Sequence, residues 1–399
     1  MAKRVGIPYK KMAVRVVGPR DEYLAARVQR LDMSTNIPTT NVDELGNPEH
    51  AGTTRGIAEV SATIQAMDVS VKLFSVLTGT DPNAYPAEGV SINELDTVDI
   101  VGIVRDEDVA DYVKSIHLRQ MRVDGFNFNY TVDGEATEEY TFSGTDKRWF
   151  KYDIVVDNFT DANTSPLSLS ETPIQLKNGD YVISYIQDGR HFKEVTDSPT
   201  ADAGEYQYSG GTLILADAIT EYAVAVYHSN TGDNLWNDVS DDAIPAAISG
   251  QNVKVYIGAN DIPRVQSVSI RGTFPVEAVR EMGNPELVGY VAQVPEITGE
   301  ISVLDTDHEL ISLLTTGAIN SSDTEFGLCE LTEDGLYLEI VLHDPGDACT
   351  PSGVALKTIY MPGLFVTGDS QTINVGGLAQ QTFNFRSSTG NLYVYSGSR

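Results

Sequence analysis

Basic side chains are scarce in this chain: 27 Lys and Arg stand against 57 Asp and Glu, a formal charge of −30. So acidic a surface repels nucleic acid, which argues against sequence-reading of DNA or RNA; DNA passing by without sticking remains compatible. Cysteine is scarcer still. Cys329 and Cys349 are too few for a disulfide framework, and no Cys/His cluster has zinc-ligand spacing, so buried reduced thiols are expected. No uninterrupted apolar stretch approaches the ~18 residues of a membrane span. Lys3, Arg4, Lys10 and Lys11 are not followed by the apolar segment of a secretory signal. The expectation is a soluble protein with no membrane partner, made in a reducing compartment.

Catalytic signatures are also missing. His308–Glu309 opens H-E-L-I-S but lacks the second His of a metalloprotease helix. The SGG and NGD stretches read as turns, without the strand–helix setting of a phosphate loop. DNLWNDVSDD (233–242) lacks the Asp-x-Asp-x-Asp-Gly rhythm of an EF-hand, which leaves either loose calcium binding or a solvated linker. His191 and His228 have no nucleophile beside them in sequence. No enzyme, no cofactor and no metal site is expected.

What is present is repetition. VDELGNPEHAG (42–52) and VREMGNPELVG (279–289) are nearly one phrase, 237 positions apart (279 − 42 = 237). Ungapped, Val28–Thr78 matches Val265–Thr315 at 17 of 51 positions, including Val28/Val265, Pro38/Pro275, Ile64/Ile301 and Leu77/Leu314. The likeness returns at an offset of 243 (368 − 125 = 243), pairing Gly125/Gly368, Gly134/Gly377, Ala136/Ala379 and Phe142/Phe385. AVRVVG (13–18) resembles VKVYIG (253–258). The duplicated unit therefore runs over about 13–150 and again over about 251–399, behind a basic arm at 1–12. Internal repeats of this length set the architecture before any other signal does.

Each copy alternates as half-buried strands do. Val268, Ile270 and Phe274 oppose Ser267, Ser269, Arg271 and Thr273, while Leu31, Met33 and Ile37 oppose Arg30, Asp32, Ser34 and Asn36. After the repeated turn, Val60, Ala62, Ile64 and Ala66 oppose Ser61, Thr63 and Gln65. Ile297, Ile301 and Val303 likewise oppose Thr298, Glu300 and Ser302. Antiparallel sheet with one wet face is expected. A short helix follows in each, capped by Asp68 or by Asp305 or Thr306, with Gly317 as a stop. Residues 151–250 have no duplicate; DIVVDNF, YVISYI, TLILA and YAVAVYH predict a small all-β unit with an acidic exit linker at 231–245. Its Tyr181, Tyr185, Tyr206, Tyr208, Tyr222 and Tyr227 read as core and cross-strand pairs, with sugar binding as the alternative. The fold class is mainly β: two tandem β-sandwich or barrel domains, each with one short helix, and an inserted all-β domain.

A strand reading VQSVSI, then PVEAVREMG, a second strand and a helix like DTDHELISLLTTG resembles the tail tube proteins of tailed viruses. The resemblance covers both duplicated units and not the middle one. It implies tube domains packed as a sixfold ring, with hairpins joined into a closed barrel around a lumen and rings stacked into a conduit for genome DNA. A chain with two such domains is expected to form homotrimer rings that imitate hexamers. Expected partners are other copies of itself, tape-measure and tail-tip or terminator proteins, and DNA in transit; the location is the virion tail, assembled in the host cytoplasm. Candidate interface residues are Glu44, Gly46, Asn47, Pro48 and Glu49, their counterparts Glu281, Gly283, Asn284, Pro285 and Glu286, and Lys3, Arg4, Lys10 and Lys11. A plain turn and a solvated terminus are the structural alternatives. Candidate lumen-facing residues are Asp32, Ser34, Thr63, Gln65, Ser267, Ser269, Glu300 and Ser302, a wall short of Lys and Arg. A carbohydrate- or receptor-binding β-protein is the competing reading.

Overall fold

Period-two alternation builds nearly all of the regular structure. The computed structural model describes residues 12–19, 22–25, 27–43, 50–67, 71–79, 90–91, 97–106, 112–176, 181–188, 190–201, 203–229, 248–280, 282, 287–304, 309–317, 319, 325, 336–345, 353–372 and 379–397. In the first copy these form β1 (Met12–Val17), β2 (Val28–Asn36), β3 (Glu59–Ala66), α1 (Lys72–Thr78), β4 (Thr97–Asp106), β5 (Tyr112–Thr131), β6 (Thr137–Gly144) and β7 (Asp146–Phe150). The middle unit contributes β8 (Asp153–Thr160), β9 (Ile183–Gln187), β10 (Arg190–Glu194), β11 (Glu205–Ser209), β12 (Thr212–Leu215) and β13 (Tyr222–Ser229). The second copy has β14 (Val253–Ile257), β15 (Val265–Thr273), β16 (Glu296–Val303), α2 (Glu309–Thr316), β17 (Tyr337–His343), β18 (Ala355–Pro362), β19 (Leu364–Thr372), β20 (Gln380–Ser387) and β21 (Tyr393–Ser396). The chain is mainly β, as its alternation predicts.

The two copies repeat one another strand for strand. Leu31 pairs with Ile64 where Val268 pairs with Ile301. Ile64 pairs with Tyr140 where Ile301 pairs with Phe383, and Thr141 faces Gly125 where Asn384 faces Gly368. Even the irregularities recur: a bulge after Val28 and after Val265, and another beside Gly125 and beside Gly368. Arg27 and Arg264 both take left-handed backbone, with φ of 52° and 59°. Bulges fix register, so their recurrence means that both copies hold their strands in the same alignment.

Each copy is two packed layers. The front layers of the two copies fuse into one antiparallel sheet in the order β2–β3–β6–β5–β15–β16–β20–β19. Behind it, the first copy has β1, β4, the opening half of β5, and β7; the second has β14, β17, β18 and β21. Strand β5 serves both layers by turning at Gln120, whose φ is 52°. In the second copy the same turn falls on Gly363, φ 67°, and splits the strand into β18 and β19. One apolar core runs through both copies, from Ile64, Phe128 and Phe142 to Ile270, Ile301 and Phe383.

The helices plug the sandwich with Leu73, Leu77, Leu310 and Leu314, and they end on left-handed Gly79 and Gly317. Helix α1 is shorter than its sequence pattern suggests. Val71 occupies its N-cap position without a side-chain cap bond; the predicted caps Asp68, Asp305 and Thr306 lie outside the described residues. The middle unit has its own sheet, β8–β13–β9–β10–β11–β12, antiparallel except where β10 meets β11, and its own core around Tyr185, Tyr206 and Tyr227.

Candidate assembly interface

The front sheet sorts its side chains by face. Alternation directs Phe126, Phe128, Tyr130, Val268 and Ile270 into the core. The opposite face carries Asp32, Ser34, Thr63, Gln65, Ser267, Ser269 and Glu300. These are neighbours across the ladder: Asp32 faces Thr63, Ser34 faces Ser61, Ser269 faces both Glu300 and Asn129, and Arg271 faces Asn127 and Thr298. The Ser34 and Ser61 hydroxyls lie 2.6 Å apart in a hydrogen bond. Arg30 pairs with Asp32 beside it on the same strand, both exposed, so part of its charge is met locally. Ser302 corrects the expectation of an open polar wall at every position. It belongs to this face but is only 2% exposed, because Gln380 and Thr382 of β20 donate hydrogen bonds to its hydroxyl and cover it.

The fused sheet is held at its middle by a joint between the copies. The last front strand of the first copy, β5, pairs with the first front strand of the second, β15, through Tyr130–Val268, Phe128–Ile270 and Phe126–Gly272. Phe126 lies over Gly272, where any Cβ would collide with the ring. Beneath the joint, Lys357 Nζ on β18 sits 2.6 Å from Glu138 Oε1 on β6, with side chains 0% and 2% exposed. Tyr130 and Tyr140 donate their hydroxyls to the same carboxylate at 3.2 and 3.1 Å, and the ammonium lies 4.9 Å from the centre of the Phe128 ring. Burial pushes the Tyr130 hydroxyl pKa well up, and the Glu138 charge adds to it, so it remains a donor. A second link crosses the joint on the back layer, where Val90–Ser91 of the first copy adds to the edge strand β21 of the second.

The outer ends of the fused sheet are unpaired strands within the described residues: β2 at one end and β19 at the other. They are the counterparts of β15 and β5. Leu31 and Met33 of β2 are only half-buried, whereas their counterparts Val268 and Ile270 are buried under the joint. The corresponding back-layer edge, β7, carries Trp149, which is 60% exposed.

The predicted turn residues Glu44, Gly46, Asn47, Pro48, Glu49, Glu281, Gly283, Asn284, Pro285 and Glu286, and the arm residues Lys3, Arg4, Lys10 and Lys11, lie outside the described residues. So do Cys329, Cys349, His308 and the linker at 231–245. What is described is the pair of hairpins below those turns, Thr39–Asp43 with His50–Arg55 and Val276–Arg280 with Leu287–Ala292. They share a register, with Val42 opposite Gly52 and Val279 opposite Gly289.

Sequence reasoning missed a buried polar chain that locks the middle unit to the first copy. Asp99 Oδ2 lies 3.1 Å from His117 Nε2, and His117 Nδ1 lies 3.2 Å from His228 Nε2. His228 Nδ1 lies 3.4 Å from Ser115 Oγ, which donates to the Tyr152 carbonyl at 2.9 Å. The ring of Phe150 stacks on His228 with centres 3.7 Å apart. Burial pushes the Asp99 carboxyl up, but the hydrogen bond and charge of His117, with His191 and Arg119, pull it further down, to well below the usual carboxylate range. An Asp, two His and a Ser in a row suggest a nucleophile relay on paper. Ser115 is fully buried, however, and its hydroxyl is committed to the Tyr152 carbonyl. Beside the chain, Val17, Val101 and Ile103 pack on Ile154, Val224 and Val226. The arrangement works as a joint between domains.

Five of the six middle-unit tyrosines belong to its core or pack against it, Tyr222 being half-buried outside that cluster. Tyr185, Tyr206 and Tyr227 are buried, and their hydroxyls donate to Gln187, the Ile183 carbonyl and Asp157 at 3.0, 2.8 and 2.7 Å; Tyr181 and Tyr208 pair edge to face. Among the described residues no group of three or more His, Cys, Asp or Glu is placed to hold a metal ion, and no helix is long and apolar enough to cross a membrane. No family model and no curated protein matches the chain.

Proposed function

We propose that this protein is the structural subunit of a viral tail tube, in which three chains, each supplying two equivalent copies, close a pseudo-sixfold ring. The observation that supports this reading is the β5–β15 joint. It is a head-to-tail contact between two copies of one unit, and it leaves the same two edges, β19 and β2, open at the ends of the chain. A head-to-tail contact that repeats must either close into a ring or run on as an open filament. An open, unpaired strand edge is a liability in a soluble protein, and closure removes it.

In the closed ring the polar face of the front sheet lines the lumen. Its acids, among them Asp32, Glu59, Glu139, Glu296 and Glu300, outnumber its bases Arg30, Arg122, Arg271 and Arg386. A duplex gains affinity by releasing counterions to Lys and Arg, so such a wall lets DNA pass without holding it. The site of action on this reading is the virion tail. Stacked rings, with tape-measure and tip or terminator proteins as partners, complete the proposal.

Negative-stain electron microscopy of the concentrated protein tests it. Rings or stacked tubes with a central lumen and three chains per ring are the expected images. Single compact particles at every concentration, including in the presence of a tail-tip complex, would overturn the reading and direct attention to glycan or receptor binding.

A further inference from the structure

The joint inside the chain is a template for the joint between chains, and it specifies residues. We infer that β19 of one chain pairs with β2 of the next with Ser370 opposite Ser34, and that this contact is closed by an ion pair between Asp369 and Lys114 of the neighbouring chain. The inference rests on the tube reading and goes beyond it, because the resemblance supplies neither the register nor the charges.

The register follows from the two offsets. The first copy's β5 and β6 correspond to β19 and β20 at 243 residues, and β15 corresponds to β2 at 237 (368 − 125 = 243; 268 − 31 = 237). Within the chain Arg271 faces Asn127 and Thr273 faces Gly125. Carried across, these pairs become Ser34 with Ser370 and Asn36 with Gly368. The core-side pairs Ile270–Phe128 and Gly272–Phe126 become Met33 with Gln371 and Thr35 with Asp369. Leu31 and Met33, half-buried in the single chain, would gain the cover that Val268 and Ile270 already have.

The charges follow from the same operation. Lys357 corresponds to Lys114 (357 − 114 = 243), and both strands keep the same inward positions, Ile116 and Leu118 matching Ile359 and Met361. Lys357 is fully buried against Glu138, while Lys114 is exposed. Glu138 corresponds to Gln381 (381 − 138 = 243), so the carboxylate is missing at the position the template requires. An acid has instead appeared one strand away. Asp369, where the first copy has Phe126, is exposed, and its Oδ2 lies 3.5 Å from Gln381 Nε2. A lysine that keeps its place while its partner acid moves to the adjacent strand is a changed solution to the same contact. The exchange of Phe126 and Phe128 for Asp369 and Gln371 makes the contact between chains more polar than the one within them. That is what an edge exposed to water before assembly requires.

Charge exchange tests the pair, with sedimentation velocity as the readout on the full chain. Lys114→Glu and Asp369→Lys each are expected to raise the concentration needed for assembly at least tenfold, and the double variant to recover most of that loss. Both residues are exposed, so the folded single chain should keep its circular dichroism and melting temperature. A wild type that assembles while both single variants match it, or a double variant that recovers nothing, overturns the ion pair and leaves the tube reading standing. A wild type that never assembles brings down both. The register has its own check: in a chain with Cys329 and Cys349 replaced by Ser, Ser34→Cys with Ser370→Cys should oxidise to a covalent ladder ending at three chains. Ser34→Cys with Thr372→Cys, spaced beyond disulfide reach, should not; the reverse result overturns the register.

Discussion

Lys357 and Glu138, 219 residues apart, form a fully buried ion pair that bolts the back layer of one copy to the front layer of the other. Such a pair is worth little against a well-packed apolar substitute, but removing one partner strands a charge in the core. Glu138→Gln is therefore expected to cost roughly 3–5 kcal/mol in urea unfolding. Pairing it with Lys357→Met should restore most of that loss. A single variant that unfolds with the wild-type midpoint would rule out the pair as a link between copies.

Gln120 and Gly363 occupy the same turn, and only one of them suits it. A left-handed residue with a Cβ is strained by about 1 kcal/mol relative to glycine. The Asp99 carboxylate offsets part of this by accepting the Gln120 N–H at 2.9 Å. Gln120→Gly should raise the thermal midpoint, and Gly363→Gln should lower it. Equal and unchanged midpoints would show that the turn stores no strain.

The joint between the middle unit and the first copy is expected to weaken in acid. Burial depresses the His191 pKa, with Arg119 adding to the effect and Asp99 opposing it. A group depressed in the fold contributes stability above its unfolded pKa, about 6.5 for histidine, begins to lose it as pH falls below that value, and has lost it once pH has fallen through the lower folded pKa. Asp99, also depressed, has the same sign but acts lower, in the carboxylate range. His117 and His228, with the ion pair of Arg119 and Asp146, are the other titratable and charged groups around it. Melting temperature should begin to fall below about pH 6.5, and His191→Phe should delay that first decline. A wild type with a flat profile from pH 8 to pH 5 (roughly the range over which a histidine titrates) would refute this.

Gly272 accepts the Phe126 ring and Gly299 accepts the Phe385 ring, so each backbone is covered by an aromatic across the ladder. Gly272→Val should destabilise the chain by about 1–3 kcal/mol through overpacking. The counterpart of Gly272 in β2 is Thr35, at the open edge, where Thr35→Val should leave the single chain's unfolding midpoint unchanged. Comparing the two variants in one denaturant series checks both expectations.

Much of this architecture is legible in the sequence. The duplication is readable because each copy must place the same side chains in the same register: Ile64/Ile301 and Phe142/Phe385 are buried neighbours in their sheets, so their places in the ladder were kept while the chain between them changed length by six residues (142 − 64 = 78; 385 − 301 = 84). The polar face is readable for the same reason, since alternation is a local property of strands. What alternation does not carry is depth. Ser302 reads as open wall and is covered, because Gln380 and Thr382 arrive from a strand some 80 residues away. The Asp99–His117–His228 chain is invisible for a stronger reason, as each member comes from a different strand and none is spaced as a motif. Lys357 did leave a signal, a lone cation in the apolar run ALKTIYMP that repeats the position of Lys114, but only the folded sheet identifies its partner.

Fusing two copies also changes the arithmetic of growth. With six separate subunits, every contact in a ring depends on concentration, and partial rings of any size accumulate. In the proposed ring every second contact would be made during folding of one polypeptide, at an effective concentration that separate subunits do not reach. Closing the proposed ring of three such chains would then be a three-body event, with fewer partial rings along the way. The internal joint is aromatic and permanent; on the proposed assembly the external one would stay hydrated and reversible, so that misplaced chains would leave before a growing end is buried beneath the next layer.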